Sequence, residues 1–274
     1  MKVVDTNLLQ CSPLTKYLTH SPQNFVVLTE YTAIEAYKAD TLEMLYRSMK
    51  ILSQFPKQVV ILKPTQVLCG LHGRDAGLQR RLIDQKQTKG FSKFCAQLLE
   101  AQRGNRSVEI PLLDHARAAR LEMERLLSDT DEFRAGVEVL RREFNAGELK
   151  ILRRRDEVVF TERMRIKVQR GVLGYARSML EQHPRVAKMP GRAEMLNTFI
   201  FRYALCRYLY GLTVVSQGGL QGKTPERLRN ELVDMIFAAC ATYFDGILSK
   251  ESKVNEIYGG AMFLLKYVFV GRRT

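Results

Sequence analysis

The feature that most constrains this chain is the placing of its short β-branched runs. Residues 2–5 read KVVD, residues 25–29 FVVLT and residues 58–62 QVVIL. Brief apolar runs of this kind suit buried strands better than half-exposed ones. Helical stretches separate them. From 31 to 55, Ile34, Leu42, Leu45, Met49 and Leu52 fall near one helical stripe, and Pro56 stops the pattern. Strand, helix, strand, helix, strand is the order of a parallel α/β sheet. The first run ends on Asp5, which places a carboxylate at a sheet edge.

After about Gly70 the pattern changes. Residues 79–102, 112–127, 132–145, 161–182 and 192–210 all read as helices, with alternating charge on many faces. Only 157–160 (EVVF) hints at an extended segment. Residues 216–223 (SQGGLQGK) form a glycine-rich hinge. Thr224 then suits a helix N-cap, Pro225 the first helical position and Glu226 the positive helix end. That helix is expected to run to about Tyr243. Residues 246–249 (GILS) read as a fourth strand and 266–270 (KYVFV) as a fifth. The expected organisation is 1–70 and 223–274 as two parts of one α/β domain, with 71–222 inserted as an all-α segment.

Composition narrows the partners. The net charge is +14, and 71–222 carries +10 of it, 28 Lys and Arg against 18 Asp and Glu. A basic excess of this size suits a polyanion such as RNA or DNA. No apolar stretch is long enough to span a membrane, and the N-terminus lacks the apolar core of a secretory signal. The five cysteines are scattered without a CxxC pair, and the four histidines lie far apart. A disulfide framework or zinc site is not expected, and a reducing cytoplasm is.

Four acids fall where a parallel sheet gathers ligands, beyond the carboxyl ends of its strands. Asp5 ends the first strand, Glu35 lies on the helix after the second, Asp234 on the late helix and Glu251 after the fourth strand. Apolar neighbours of Glu35 and Asp234 turn those acids inward, where a carboxylate is costly unless paired or metal-bound. Converging carboxylates repel, and Mg²⁺ or Mn²⁺ relieves the repulsion. A strand-end turn at Asp5, a salt-bridged Glu35 and a surface Asp234 are the plain structural alternatives.

These segments resemble the PIN-domain family of metal-dependent nucleases. VVDTNLL is similar to the family's first motif, which makes Asp5 the first metal ligand, with Thr6 and Asn7 supporting its loop. TEYTAIEAYK is similar to the second, with Glu35 as its acid; nearby Glu30 matches less well. LVDMIFAACATYFDGILSKESKV is similar to the late stretch: Asp234 is the helix-borne acid, Asp245 the corner acid, Ser249 a hydroxyl near the metal and Glu251 the final acid, where the family more often has Asp. The resemblance covers about 1–70 and 223–274. It implies a three-layer α/β/α PIN-like domain interrupted by the helical segment. It implies a ribonuclease, or less readily a deoxyribonuclease, using Mg²⁺ or Mn²⁺ and no organic cofactor. A toxin or defence role follows by analogy alone. The alternative is a catalytically silent PIN-like module that binds RNA or a protein through its basic helices.

Weaker signals remain. Arg153, Arg154 and Arg155, with Lys150, Arg163, Arg165, Lys167 and Arg170 nearby, form the densest basic patch and the candidate nucleic-acid contact. Lys250 or Lys253 could assist at a phosphate. Gly222-Lys223-Thr224 looks like the end of a P-loop, but Gln217 stands where its first glycine belongs and Pro225 removes a needed N–H. Phe199, Phe201, Tyr203, Tyr208 and Tyr210 suit a core or a subunit interface. A second copy of the chain or a regulatory protein is the candidate partner of the helical segment 71–222.

Overall fold

A computed structural model describes residues 1–37, 42–154 and 161–269. It is mostly helical around one small parallel sheet, an α/β arrangement. The elements in chain order are β1 (Lys2–Val4), α1 (Ser12–His20), β2 (Val26–Leu28), α2 (Glu30–Tyr37), α3 (Leu42–Met49), β3 (Val59–Ile61), α4 (Thr65–Cys69), α5 (Leu78–Leu82), α6 (Gln85–Gln102) and α7 (Arg106–Arg125). They continue as α8 (Ser128–Glu143), α9 (Ala146–Arg154), α10 (Glu162–Gln182), α11 (Arg192–Met195), α12 (Phe199–Ser216), α13 (Pro225–Ala241), β4 (Ile247–Leu248) and α14 (Ser252–Leu264).

Two compact units share these elements. The first comprises Met1–Leu68, Gly77–Arg125 and Tyr243–Ser252, and it holds the sheet. Strand order is β3-β2-β1-β4, every pair parallel, with Val3 opposite both Val27 and Ile247. β1 is therefore an inner strand. Val3, Val4, Val26 and Val27 are fully buried, as the continuous apolar runs require. Leu14, Leu18, Leu45, Leu52, Phe91 and Leu98 pack in the same core. Its edge strand β3 is not left bare: Thr88 Oγ1 accepts from Ile61 N at 3.0 Å, and Asp84 N donates to Ile61 O at 2.8 Å.

The second unit comprises Cys69–Ala76, Leu126–Thr242 and the residues from Lys253 onward. Its centre is α12, which packs on α8, α9, α10 and α13. Phe199, Ile200, Phe201, Leu205, Cys206 and Tyr210 bury more than one side of it, and a helix apolar all round belongs in a core. Thr198, Thr161 and Thr224 cap α12, α10 and α13, each accepting from the backbone N–H three residues on.

Several expectations shift. The units do not divide at 70/71 and 222/223. α6 and α7 join the sheet unit because Phe91, Cys95, Leu98 and Leu112 enter its core, and α13 belongs to the second unit. The expected helix 79–102 breaks at Ile83-Asp84, where Ile83 bridges Leu62 and Asp84 caps α6. The expected fifth strand is corrected: 266–269 lie in a π-helical turn, Leu265–Phe269, that continues α14. Leu265 and Phe269 are both buried, four residues apart, which is a helical spacing. Residues 157–160 and Val270 lie outside the described residues.

Gln58 pins the sheet's amino end. Its Nε2 lies 3.1, 3.0 and 2.7 Å from the carbonyls of Leu18, Ser21 and Asn24. Gln58→Ala strands those acceptors and should cost about 1–3 kcal/mol, read as a lower urea midpoint at unchanged slope. An unaltered midpoint would show that water replaces the amide at no cost.

Candidate functional site

Asp5 is built into place from both ends of the chain. β1 delivers it at its carboxyl end, and Asp5 N donates to Leu248 O of β4 at 2.9 Å. A 3-10 turn, Thr6–Leu8, follows at once. Asp5 is only 3% exposed. Ser249 Oγ, just past β4, donates to its Oδ2 at 2.5 Å, and Asn7 Nδ2 donates to the same oxygen at 2.6 Å. Thr6 Oγ1 lies 3.3 Å from Oδ1. A buried carboxylate without such donors would cost several kcal/mol, about the penalty of an unpaired buried ion.

Glu35 reaches the same place from α2. Thr32 is fully buried, and its hydroxyl contacts Val4 O at 3.5 Å, so the first turn of α2 is moored to the end of β1. Glu35 follows three residues later, on the same helix face. Its Oε2 accepts from Thr6 Oγ1. The Thr6 hydroxyl thus touches both Asp5 and Glu35, but it carries one proton and can donate to one of them at a time. Two carboxylates around one hydroxyl are an oxygen donor set of the kind hard cations take.

Glu251 stands at the same end of the sheet, in the turn after β4, where its N donates to Ser249 Oγ at 3.1 Å. Lys250 N donates to Asn7 Oδ1 at 3.1 Å, so Asn7 ties both chain ends together. Glu30 is not part of this group: its Oε2 accepts from Thr65 N at 2.8 Å at the start of α4.

One expected ligand is placed differently. Asp245 is corrected: it precedes β4, its N donates to Met1 O at 2.9 Å, and its side chain is 76% exposed against the Met1 amino group. It therefore marks the amino ends of the parallel strands, while Asp5 marks the carboxyl ends. The strands themselves separate the two edges, because each residue advances about 3.3 Å. Asp234 lies in the second unit on α13, with Lys253 Nζ 3.9 Å from its Oδ2. Among the described residues, no group of three or more His, Cys, Asp or Glu side chains is gathered to hold a metal ion.

The expected basic patch is partly committed. Arg153 Nε donates to Ser216 O, at the end of α12, at 2.7 Å. The side chain of Arg154 and all of Arg155 lie outside the described residues. Arg163, Arg165 and Arg170 are exposed on α10, whereas Lys167 is held by Glu148 at 2.7 Å. Phe199, Phe201, Tyr208 and Tyr210 are buried, as core residues. Among the described residues, no helix is long and apolar enough to cross a membrane. All five cysteines are free. No family model matches the chain, and comparison with curated proteins and with solved structures gives no match. Function has to be argued from the residues themselves.

The sequence reading missed Glu231, although it stands three residues before Asp234 on the same helix. Glu231 is buried and receives Lys223 Nζ at 2.7 Å, Lys253 Nζ at 3.0 Å and the Tyr210 hydroxyl. Lys223 is thus a structural partner, consistent with the failed P-loop pattern. Burial raises the Glu231 carboxyl, but the hydrogen bonds from Lys223, Tyr210 and Lys253 outweigh it and hold the group below the usual carboxylate range. Because the folded value is depressed, its stabilisation is present above the unfolded value, about 4.3. It is lost as pH falls through the folded value. Glu231→Gln should lower stability at neutral pH and flatten the decline of stability below about pH 4.3. An unchanged acid limb would show that other groups drive acid unfolding.

Proposed function

We propose that the sheet unit is a metal-dependent phosphodiesterase acting on nucleic acid, RNA ahead of DNA, built in the manner of a three-layer PIN-like domain. The observation that carries this reading is the meeting of Asp5 and Glu35 at the Thr6 hydroxyl, at the carboxyl end of an inner parallel strand. Oxygen donors of this type fit Mg²⁺ or Mn²⁺, with Asp5 and Glu35 as the holding pair and Glu251 as the nearby third acid. Bound there, such an ion would neutralise charge on a phosphate and lower the pKa of a water.

The protein's own residues have separable tasks in this reading. Ser249 and Asn7 fix the Asp5 carboxylate by occupying Oδ2, so that its remaining lone pairs are presented in one orientation. Thr6 sets the spacing between Asp5 and Glu35. Thr32 fixes the helix that carries Glu35. Lys250 is exposed beside Asn7 and supplies positive charge at the sheet edge. An acidic pair repels a phosphate backbone, so the strand must be held by positive charge elsewhere. The basic excess in 71–222, with Arg154, Arg155 and the exposed arginines of α10, suits that task.

The test is incubation of the purified protein with RNA and with single-stranded DNA, in Mn²⁺, in Mg²⁺ and in chelator. Cleavage should need the metal. Asp5→Asn keeps the shape of the side chain and removes its charge; it should lower the rate at least about 100-fold, some 2.7 kcal/mol of barrier, while the circular dichroism stays native. Undiminished cleavage by this variant would place the chemistry elsewhere. Tight RNA binding without cleavage in any metal would favour the silent-module reading.

Substrate holding is tested separately. Arg154→Glu with Arg155→Glu leaves the Arg153–Ser216 bond intact. The pair should weaken single-strand binding and reduce the salt slope by about 1–2, since each lost phosphate contact contributes about 0.7. An unchanged slope would remove these two arginines from the interface.

A further inference from the structure

The sheet unit carries a groove of about 820 Å³ that opens at the carboxyl ends of β2 and β3, where Thr29 and Leu62 line it. Its walls are faces of three helices. Ile34 and Tyr37 line it from α2, Gly90 and Phe94 from α6, and Pro111 and His115 from α7. Each pair has helical spacing, so one face of each helix is turned to the groove. β2 is the neighbour of β1, which starts the groove one strand away from Asp5 at the same sheet edge. α2 serves both places. Thr32 and Glu35 on one side reach Val4 and Thr6, while Ala33 and Tyr37 on the other side face the groove.

The rim of the groove is basic. Lys86, Lys89 and Lys93 of α6 are exposed, and they share a helix face with Gly90 and Gln97, which line the groove. Among the described residues, none of the three lysines forms an ion pair. Like charges on one helical stripe repel, so this stripe gains from an anion laid along it. The acids of the lining are already engaged: Glu30 accepts from Thr65 N at 2.8 Å, and Glu122 pairs with Arg125 at 2.9 Å.

The interior offers flat faces and neutral polar groups. Phe94 and Tyr37 are half-buried, and the exposed His115 ring lies 6.2 Å from that of Tyr37. Such rings take unstacked bases, which a duplex hides. Gln66 and Gln97 line the groove and make no hydrogen bond among the described residues. A primary amide offers a base edge both donors and an acceptor. Pro111 lies inside α7 and has no N–H, so the Ser107 carbonyl lacks the donor that a regular helix would give it. Ser107 and Pro111 both line the groove. A freed acceptor there suits a ligand that carries hydroxyls, as the ribose of RNA does. Gly90 adds a last point. A Cβ there would meet nothing within 4 Å, so packing does not demand a residue that weakens the helix. Its bare surface keeps the groove open between Lys86 and Lys93.

We propose that this groove holds single-stranded RNA, its phosphates along Lys86, Lys89 and Lys93 and its bases against Phe94, Tyr37 and His115. Delivery of the strand to Asp5 and Glu35 rests on the metal-dependent reading of that pair; binding of the strand does not. The positive charge that an acidic pair needs near it is then supplied by α6, in the same unit as the acids.

The test is the anisotropy of a fluorescein-labelled, unstructured RNA of about 12 nucleotides, in chelator so that nothing is cut. The native protein should bind it at least about tenfold more tightly than the RNA duplex or the DNA strand of the same sequence. Lys86→Glu, Lys89→Glu and Lys93→Glu together should weaken binding at least about tenfold and flatten the salt slope by about 2, since each phosphate contact contributes about 0.7. Gly90→Leu keeps all three lysines and fills the groove. It should weaken binding as much with the thermal transition retained, which keeps the test decisive if the lysine variant does not fold. Native affinity in Gly90→Leu, an unchanged salt slope in the lysine variant, or equal affinity for the duplex or the DNA would overturn the proposal. RNA binding of the expected pattern in a protein that cuts nothing in Mn²⁺ or Mg²⁺ would uphold the groove and strike the nuclease reading alone.

Discussion

The buried carboxylate of Asp5 is the constraint on which the sheet unit depends. A charge 3% exposed must be met by donors, and no neighbour in sequence supplies enough of them. Asn7 provides one, Thr6 shares its single proton between this carboxylate and Glu35, and the remaining donor is Ser249, 244 residues away along the chain. This need explains why the loop after β4 is drawn against the loop after β1, and why Lys250 N is tied back to Asn7. The β1–β4 backbone pairing and the side-chain network act together. The first sets the register, and the second fixes the orientation of the acid.

Glu35 extends the same logic to a second anion. Its helix is moored through Thr32 to the end of β1, which brings a second carboxylate to the one hydroxyl already engaged with Asp5. An arrangement built only for stability would gain more from a neutral partner at position 35, because two acids around one hydroxyl repel. In the proposed reading, a divalent cation would offset that repulsion. Asp245 shows the contrast. It is an acid of similar sequence context that falls at the opposite strand ends, exposed and neutralised by the amino group of Met1.

Much of the sheet was legible because β-branched runs leave little ambiguity: 2–5, 25–29, 58–62 and 246–249 each enclose an observed strand. Asp5 and Glu35 were legible because strand ends and helix faces follow simple periods. The chain end misled for the opposite reason. KYVFV has strand composition, but Val254, Ile257, Ala261, Leu264 and Leu265 establish a helical face before it, and tertiary packing overrides the local preference. The unit boundary was hidden because α6 and α7 carry charged outer faces that disguise their apolar stripe. Phe91, Cys95 and Leu98 reveal that stripe only when spacing is weighed above composition. Arg207 was the least legible: a single arginine inside LCRYLYGL reads as a helix residue among others until its burial is known.

The central claim is that Asp5 and Glu35 together hold a divalent cation, and calorimetric titration of Mn²⁺ into the intact protein tests it most directly. The native protein should show saturable binding and a melting temperature that rises with free Mn²⁺, because a ligand selective for the folded state stabilises it. Glu35→Gln removes one of the two charges without disturbing Ser249 or Asn7, and it should lose both the binding isotherm and the thermal shift. Mn²⁺ binding by Glu35→Gln with the affinity of the native protein, or no binding by the native protein at millimolar metal, would contradict the account.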